Sequence, residues 1–286
     1  MAPESLKSLK KQIENGLGDY SRLQKKLASF LIGHWSEIPL MAITDIALET
    51  GLSTASVSRF TRRFGFKGFY DFKDKIKDEL KAAFNPVDHF FQVEADLSGK
   101  KSLKKVARQD VKNINKLLSQ ISEQTFINLL HKVENADRVF IFGAGISSVL
   151  ASFTRYVFNQ VAKETHVLDE GDMPVEEKIL LVTERDLIIM LSFFPYSKVT
   201  IEYAQLARER ELDVIAISDN EFSPISEYVS TVVAIPRENI LFITSISAYT
   251  VLINAVATEI ALKKKESLTE SLRQAEKILK RFYFLS

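Results

Sequence analysis

The stretch Ile43 to Phe66, ITDIALETGLSTASVSRFTRRFGF, sets its apolar and polar residues where two helices joined by a tight turn need them. Ile43, Ile46 and Ala47 recur at helical spacing and face a small core, with Ala47 small enough to let a second helix cross closely. Gly51 supplies the turn, because glycine takes a positive φ at no steric cost, and Leu52 tucks beneath it as an apolar anchor. Ser53 is an N-cap for the second helix, whose Val57 and Phe60 return to the same core. The outer and leading faces are then left with hydroxyls, one methyl and arginines. That is the face a helix-turn-helix presents to the major groove, where short side chains approach base edges and the thymine methyl while arginine reads guanine or clamps a phosphate. We therefore expect double-stranded DNA to be bound by Ser53, Thr54, Ala55, Ser58, Arg59, Arg62 and Lys67. The competing reading is a helical hairpin with a solvated basic face.

At 286 residues, 46% hydrophobic and 26% charged, the chain has room for two domains and the balance of a globular protein. Net charge is +1, yet Lys and Arg outnumber Asp and Glu within residues 1–84 and the remainder is slightly acidic, which suits a DNA-facing amino-terminal end. The absence of cysteine excludes disulfide frameworks, thiol catalysis and thiolate metal sites. MAPESLKSLKKQIENG has no apolar h-region, so no secretory signal is expected and the compartment reads as the cytoplasm. Residues 241–262 carry one charge, Glu259, over a length able to cross a bilayer. Thr244, Ser245, Ser247, Thr250, Asn254 and Thr258 make a helix buried between domains or subunits the better reading. A homodimer or homotetramer with no membrane partner is expected.

Residues 5–81 read as helical throughout. Leu23, Leu27, Phe30 and Leu31 form the stripe of a helix ahead of the DNA-reading pair, Trp35 at its end reads as core, and residues 71–84 form a further charged helix. Asn85-Pro86 breaks it, and residues 85–101 read as a linker into a long helix over about residues 102–131. From Asp137 onward, RVFIFG, THVLD, DLIIMLS, DVIAISD and STVVAIP alternate with helical segments. Continuous apolar strands separated by helix-length crossovers predict a parallel sheet covered on both faces. The expected architecture is an all-α helix-turn-helix domain (1–84), a linker (85–101) and a doubly wound α/β domain (102–286).

In open α/β sheets, ligands bind beyond the carboxyl ends of the strands. Gly143-Ala144-Gly145-Ile146-Ser147-Ser148 follows the first strand and precedes a helix expected from near Val149. Its glycines let amides approach an anion, the helix N-terminus favours negative charge, and the serines add hydroxyls. Phosphate suits it. A dinucleotide site competes, without the third glycine of its fingerprint and with only Asp169 as a ribose partner, and the glycines can also serve a tight turn alone. The second loop, Ser192 to Lys198, places Ser197 as a helix N-cap with Lys198 and Thr200 as nearby donors. Its Phe193, Phe194 and Tyr196 suit core, interface or ligand contact equally. The expected effector-binding residues are Gly143, Gly145, Ser147, Ser148, Ser192, Tyr196, Ser197 and Lys198, among which the four serines together offer hydroxyls to an anion without a cationic clamp.

ITDIALETGLSTASVSRFTRRFGFKGFYDFK, with Gly65, Gly68, Tyr70 and Phe72 after the second helix, resembles the DNA-binding module of RpiR/MurR-type bacterial transcriptional regulators. GAGISS, the strand-loop-helix around Ser192 and the IAISD strand end resemble the SIS (sugar isomerase) domain that follows it in that family. The resemblance spans nearly the whole chain and implies phosphosugar binding, with Ser147 and Ser148 matching the first loop and Ser192 and Ser197 matching hydroxyls of a second loop usually written S-x-S-G-x-T. Here Phe194 stands for the second serine and Pro195 for the glycine, which removes one hydroxyl and one flexible amide.

The expectation is a sequence-specific transcriptional regulator, not an enzyme, that carries no cofactor or metal and reads an inverted repeat. It would sense a phosphorylated or acidic sugar-type metabolite through that effector's unequal affinity for two domain arrangements. A sugar-phosphate isomerase would need a positioned acid and base, for which His166, Glu170 and His131 are the candidates. A constitutive DNA-binding dimer with a ligand-free SIS domain is the third reading.

Overall fold

Ser21 opens the first long helix of the amino-terminal half, α1 (Arg22–Gly33), by reciprocal capping: its hydroxyl accepts from the Gln24 amide at 3.4 Å while the Gln24 side chain accepts from the Ser21 N–H at 3.1 Å. The computed structural model describes residues 9, 12–13, 15–35, 38–83, 100–171, 173–240 and 244–280, and the chain divides into two units, 1–101 and 102–286. Leu27, Ala28 and Leu31 are buried on α1, whereas Leu23 is 54% exposed, so the apolar stripe starts a turn later than its leucine spacing implies. In α2 (Ile43–Thr50) the Asp45 carboxylate takes the Ala42 N–H at 2.8 Å, closing the amino end. Gly51 ends α2 at φ +68°, and the Leu52 N–H returns to the Ala47 carbonyl at 2.9 Å, the six-to-one bond of a Schellman turn. Ser53 caps α3 (Thr54–Arg62) by accepting from the Ser56 amide at 3.2 Å. Ile46, Ala47, Val57 and Phe60 are buried, with Tyr20 edge-on to Phe60 at 5.3 Å. Trp35 is buried edge-on to Phe72 of α4 (Phe69–Ala83), so it is core as expected.

Residues 5–81 are not one helical run. A 3-10 turn at Gly16–Asp19, turns around Pro39 before α2 and a turn with Gly65 at φ +87° interrupt it, since proline lacks an N–H and a positive φ lies outside the helical region. Residues 84–99, which hold most of the expected linker, lie outside the described residues.

In the second unit the single helix expected over residues 102–131 is two, α5 (Lys100–Gln120) and α6 (Glu123–Asn135). Ser122 separates them, because its hydroxyl caps α6 by accepting from the Thr125 amide at 3.0 Å. The remaining elements are β1 (Val139–Gly143), α7 (Ile146–Gln160), β2 (Thr165–Val167), α8 (Val175–Leu180), β3 (Leu187–Ser192), α9 (Lys198–Glu209), β4 (Asp213–Ser218), β5 (Thr231–Ala234), α10 (Ser247–Lys263) and α11 (Lys265–Leu279). All five expected strands form, and they pair in parallel in the order β2-β1-β3-β4-β5. Alternate residues serve opposite faces. Val139 and Ile141 pack with Leu130 of α6, Leu150 of α7 and Leu252 of α10, whereas Phe140 and Phe142 pack with Ile179 of α8 and Ala204 of α9.

The apolar segment 241–262 becomes helical only from Ser247, and residues 241–243 lie outside the described residues. Its Ala248, Tyr249, Leu252, Ile253, Val256, Ala257 and Ile260 are buried against the sheet of its own unit. The expectation of a helix buried between domains is thereby corrected: packing within one unit accounts for its buried face. Among the described residues no helix is long and apolar enough to cross a membrane.

The amino ends of the central strands are tied by charge. Arg138 meets Asp186 through Nε at 3.0 Å and Nη2 at 2.7 Å, and Asp186 also accepts from the amide and hydroxyl of Thr183 at 2.8 Å each. Burial pushes the Asp186 carboxyl up, but these donors outweigh it and hold the group down at about 2. Lys132 donates to both carboxylate oxygens of Asp213 at 2.6 and 2.7 Å.

Candidate functional site

The exposure of the residues expected to contact DNA follows from the caps. Because Ser53 starts α3 and Val57 and Phe60 anchor it inward, Ser53, Thr54, Ala55, Arg59, Arg62 and Lys67 are all exposed on or beside one helix. Ser58 is half-buried instead: a Cβ on Gly68 would lie 2.9 Å from its hydroxyl oxygen, so the turn after α3 packs over it. Arg62 is partly committed, donating from Nε to the Lys67 carbonyl at 3.0 Å, while the Lys67 amide donates to Asp71 at 2.8 Å. Arg63, which carried no expectation, is held away from this face by Gln24 at 3.1 Å and by the Tyr20 ring at 5.2 Å.

In the second unit, the chain leaves β1 for β2 on one side and reaches β3 on the other, so the strand order reverses between β1 and β3. Such a switch point opens a crevice beyond the carboxyl ends. Gly143 ends β1 in register with Leu191 of β3, which places the Gly143–Ser148 and Ser192–Lys198 loops on its two sides. The first loop is shorter than expected. Helix α7 starts at Ile146 rather than near Val149, because Ser147 and Ser148 donate their amides to Ala144 and Gly145 at 3.2 and 3.0 Å and so already belong to its first turn. Those two amides are therefore occupied, Ser147 is buried, and the Ser148 hydroxyl donates to the Gly145 carbonyl at 2.8 Å. Gly143 is required by packing, since a Cβ there would meet the Ser147 backbone at 2.6 Å. Gly145 is required by its backbone, at φ +60° with open space where a Cβ would point.

On the second side Ser192 is buried at the end of β3 with its hydroxyl unpartnered among the described residues, and Ser197 takes the N-cap position of α9 without a side-chain cap. Lys198 is exposed and Tyr196 is half-buried, edge-on to Phe194 at 5.7 Å. Phe193 divides from the other aromatics: it is core, buried with the α10 face of the sheet.

A cation that the sequence reading did not name, Arg237, reaches the second loop from beyond β5. Its guanidinium donates to the Phe194 carbonyl at 3.3 Å and to the Thr244 hydroxyl at 2.7 Å, and lies 4.8 Å above the Phe193 ring. Asp219, the first residue after β4, accepts from the Tyr196 hydroxyl and the Phe194 amide; burial pushes its carboxyl up against these bonds and the Arg237 charge. Both residues stand just past strand carboxyl ends, in ISD and IPREN, and that position was the available signal for them.

The two histidine candidates for an isomerase do not converge on this crevice, and Glu170 is exposed three residues beyond β2. His166 sits within β2, stacked on Phe140 at 5.3 Å and 2.9 Å from the Glu164 carboxylate. His131 lines a cavity at the opposite, amino end of the sheet with Lys132, Asp137, Arg185 and Asp213. Asp169 is engaged by Lys178 at 2.8 Å.

Comparison with known proteins gives a consistent result. The family model for rpiR-family helix-turn-helix domains matches residues 7–83, and that for SIS domains matches residues 132–259. An uncharacterized HTH-type transcriptional regulator of Clostridium perfringens is 26% identical over 224 residues, covering 77% of this chain and 80% of the relative. The sugar isomerase domain of an RpiR transcription factor from Sphaerobacter thermophilus superposes with a TM-score of 0.59 at 24% identity, covering 62% of this chain and 99% of that one. The Vibrio vulnificus NanR protein complexed with ManNAc-6P does so with a TM-score of 0.57 at 17% identity, covering 97% of this chain and 100% of that one.

Proposed function

Because this chain belongs to the RpiR family of helix-turn-helix transcriptional regulators that carry a SIS domain, we propose that it controls transcription in response to a small anionic sugar derivative. The exposed Ser53, Thr54, Ala55, Arg59, Arg62 and Lys67, with Ser58 beside them, read a double-stranded operator. A homo-oligomer reads an inverted repeat, since one recognition helix covers few base pairs. The observation that carries the effector reading is the β1/β3 switch point, where both flanking loops run directly into helix N-termini and bring Ser147, Ser148, Ser192 and Ser197 to the strand ends. The ManNAc-6P held by the similarly folded NanR protein supports a phosphorylated ligand for this fold. Gly143, Gly145, Tyr196 and Lys198 complete the proposed site.

A non-enzymatic role is supported by where His131 and His166 sit, since neither faces the crevice in which an isomerase would need its acid and base. The effector acts by binding one domain arrangement more tightly than the other, and it shifts operator affinity by that difference. The test is a thermal-shift screen of the full chain against sugar phosphates and sugar acids, followed by operator titration with each stabilising compound. A compound that stabilises the protein and changes operator affinity is the expected result. Stabilisation by none, or isomerisation of a sugar phosphate at a turnover rate above background, overturns the reading.

A further inference from the structure

Three strand ends meet around the second loop. Ser192 closes β3, Asp219 follows β4, and Arg237 lies three residues beyond β5, with all three touching or flanking the segment 193–196. Arg237 and Asp219 grip one residue from both sides: the guanidinium donates to the Phe194 carbonyl, and the carboxylate accepts the Phe194 amide. Two donors in this cluster are buried without an acceptor among the described residues, the Ser192 hydroxyl and Nε of Arg237. Ser192 is 2% exposed as a whole residue. Buried donors are almost always satisfied, so two orphans at one cluster mark a place where an acceptor belongs.

Arg237 is also held for a purpose that solvent exposure would not require. Phe193 supports the guanidinium face at 4.8 Å and Thr244 fixes Nη2 at 2.7 Å, which sets the plane of the fork before any ligand arrives. A planar fork with fixed orientation suits the paired oxygens of phosphate or carboxylate. Asp219 stands in the way. Its charge acts on Arg237, so the local field is balanced while no anion is bound, and an incoming anion has to take the place of that carboxylate as the guanidinium's counter-charge.

We propose that Arg237 and Ser192 form an anion subsite of the effector pocket, specific for a phosphate or carboxylate group, with Asp219 as the competing counter-ion that an effector must displace. This rests on the reading that an anionic metabolite binds at these strand ends, and deepens it by naming the cation and its competitor. In place of the serine and glycine of S-x-S-G-x-T, this chain uses a side chain from beyond β5 to supply the donor that Phe194 and Pro195 cannot.

The test measures binding of inorganic phosphate to the full chain by isothermal titration and thermal shift, at constant ionic strength with chloride as the balancing anion. Wild type is expected to bind. Arg237→Gln should weaken phosphate by about tenfold or more, the loss of one charge-assisted donor pair, and Ser192→Ala should weaken it less. Asp219→Asn should tighten it several-fold, because the competitor is gone while its hydrogen-bonding shape remains. That gain cannot come from a merely structural role, and it decides the matter if Arg237→Gln does not fold. Wild-type affinity in Arg237→Gln, or unchanged or weaker binding in Asp219→Asn, overturns the subsite. If sugar phosphates bind the wild type but neither variant alters phosphate, this subsite falls while the crevice reading stands. If neither phosphate nor any sugar derivative binds the wild type, both fall.

Discussion

Nε of Arg62, the last residue of the recognition helix, donates to the backbone carbonyl of Lys67 at 3.0 Å. The Lys67 amide is held in turn by the Asp71 carboxylate at 2.8 Å, so the peptide bearing this lysine is fastened on both sides. Arg59 is exposed on the same helix and has no hydrogen-bond or ion-pair partner among the described residues.

The two arginines should therefore fail differently. Arg59→Ala is expected to cost about 1–3 kcal/mol on the operator and to relax specificity at one base pair. Arg62→Ala should weaken operator and unrelated duplex alike and make the salt slope shallower by roughly one, as a displaced phosphate contact does. Titrations at several salt concentrations, on a selected operator and on its single-base variants, separate the two. Base-specific loss in Arg62→Ala would show that Nη1 and Nη2 read the groove instead.

Gly51 and Gly143 should differ in their tolerance of alanine. At Gly51 a Cβ finds only the Lys26 ammonium at 3.8 Å, so the cost is the left-handed backbone, about 1 kcal/mol. At Gly143 the Cβ would meet the Ser147 carbonyl oxygen and carbon at 2.6 and 2.7 Å, backbone that can yield only by shifting α7, and the cost should reach about 3 kcal/mol. Urea melts of the two variants check the order. A reversed order would mean that α7 moves freely on the sheet.

Acid should unfold the second unit through Asp186. Its folded-state carboxyl sits at about 2 against an ordinary value of 3.8, so the folded protein binds this proton less readily than the unfolded chain does. The resulting stability, about 2 kcal/mol, is complete above pH 4 and is lost as pH falls from there towards 2. Asp186→Asn should remove that part of the pH dependence and destabilise the protein at neutral pH, because Arg138 and Thr183 lose their charged acceptor. Equal slopes for wild type and variant between pH 4 and 2, followed by circular dichroism, would assign the acid sensitivity elsewhere.

Assembly is expected to be at least dimeric, with operator half-sites a whole number of helical turns apart. Sedimentation at micromolar protein, with and without operator, checks it. A monomer with full operator affinity refutes it.

Much of this architecture was legible because local chemistry and global fold agree. Gly51 and Ser53 punctuate the helix pair by mechanisms that need no tertiary context, and the β-branched runs became strands in the order they appear. Boundaries were harder. Ser122 and Ser147 are ordinary polar residues until neighbouring amides decide whether one caps a helix and the other lies within it. The sites divided in the same way: the recognition face comes from one contiguous helix, whereas Arg237 reaches Phe194 across 43 positions of chain. Only the β3-β4-β5 neighbourhood brings them together, and no spacing rule contains it. Residues 241–262 misled for a related reason, since a helix against a fully covered sheet is as apolar as one between two domains.

Two charge ties of the second unit, Arg138 to Asp186 and Lys132 to Asp213, fasten the amino ends of its strands. The central strands are thereby also held from the end opposite the carboxyl-end loops, so that a substitution in those loops need not disturb the pairing of the sheet. Phe194 and Pro195 stand where S-x-S-G-x-T, the pattern this loop resembles, has serine and glycine, yet β3 keeps its full register with β1 and β4. A scaffold divided in this manner is evolvable: its loop sequences can drift while the sheet that carries them keeps its form.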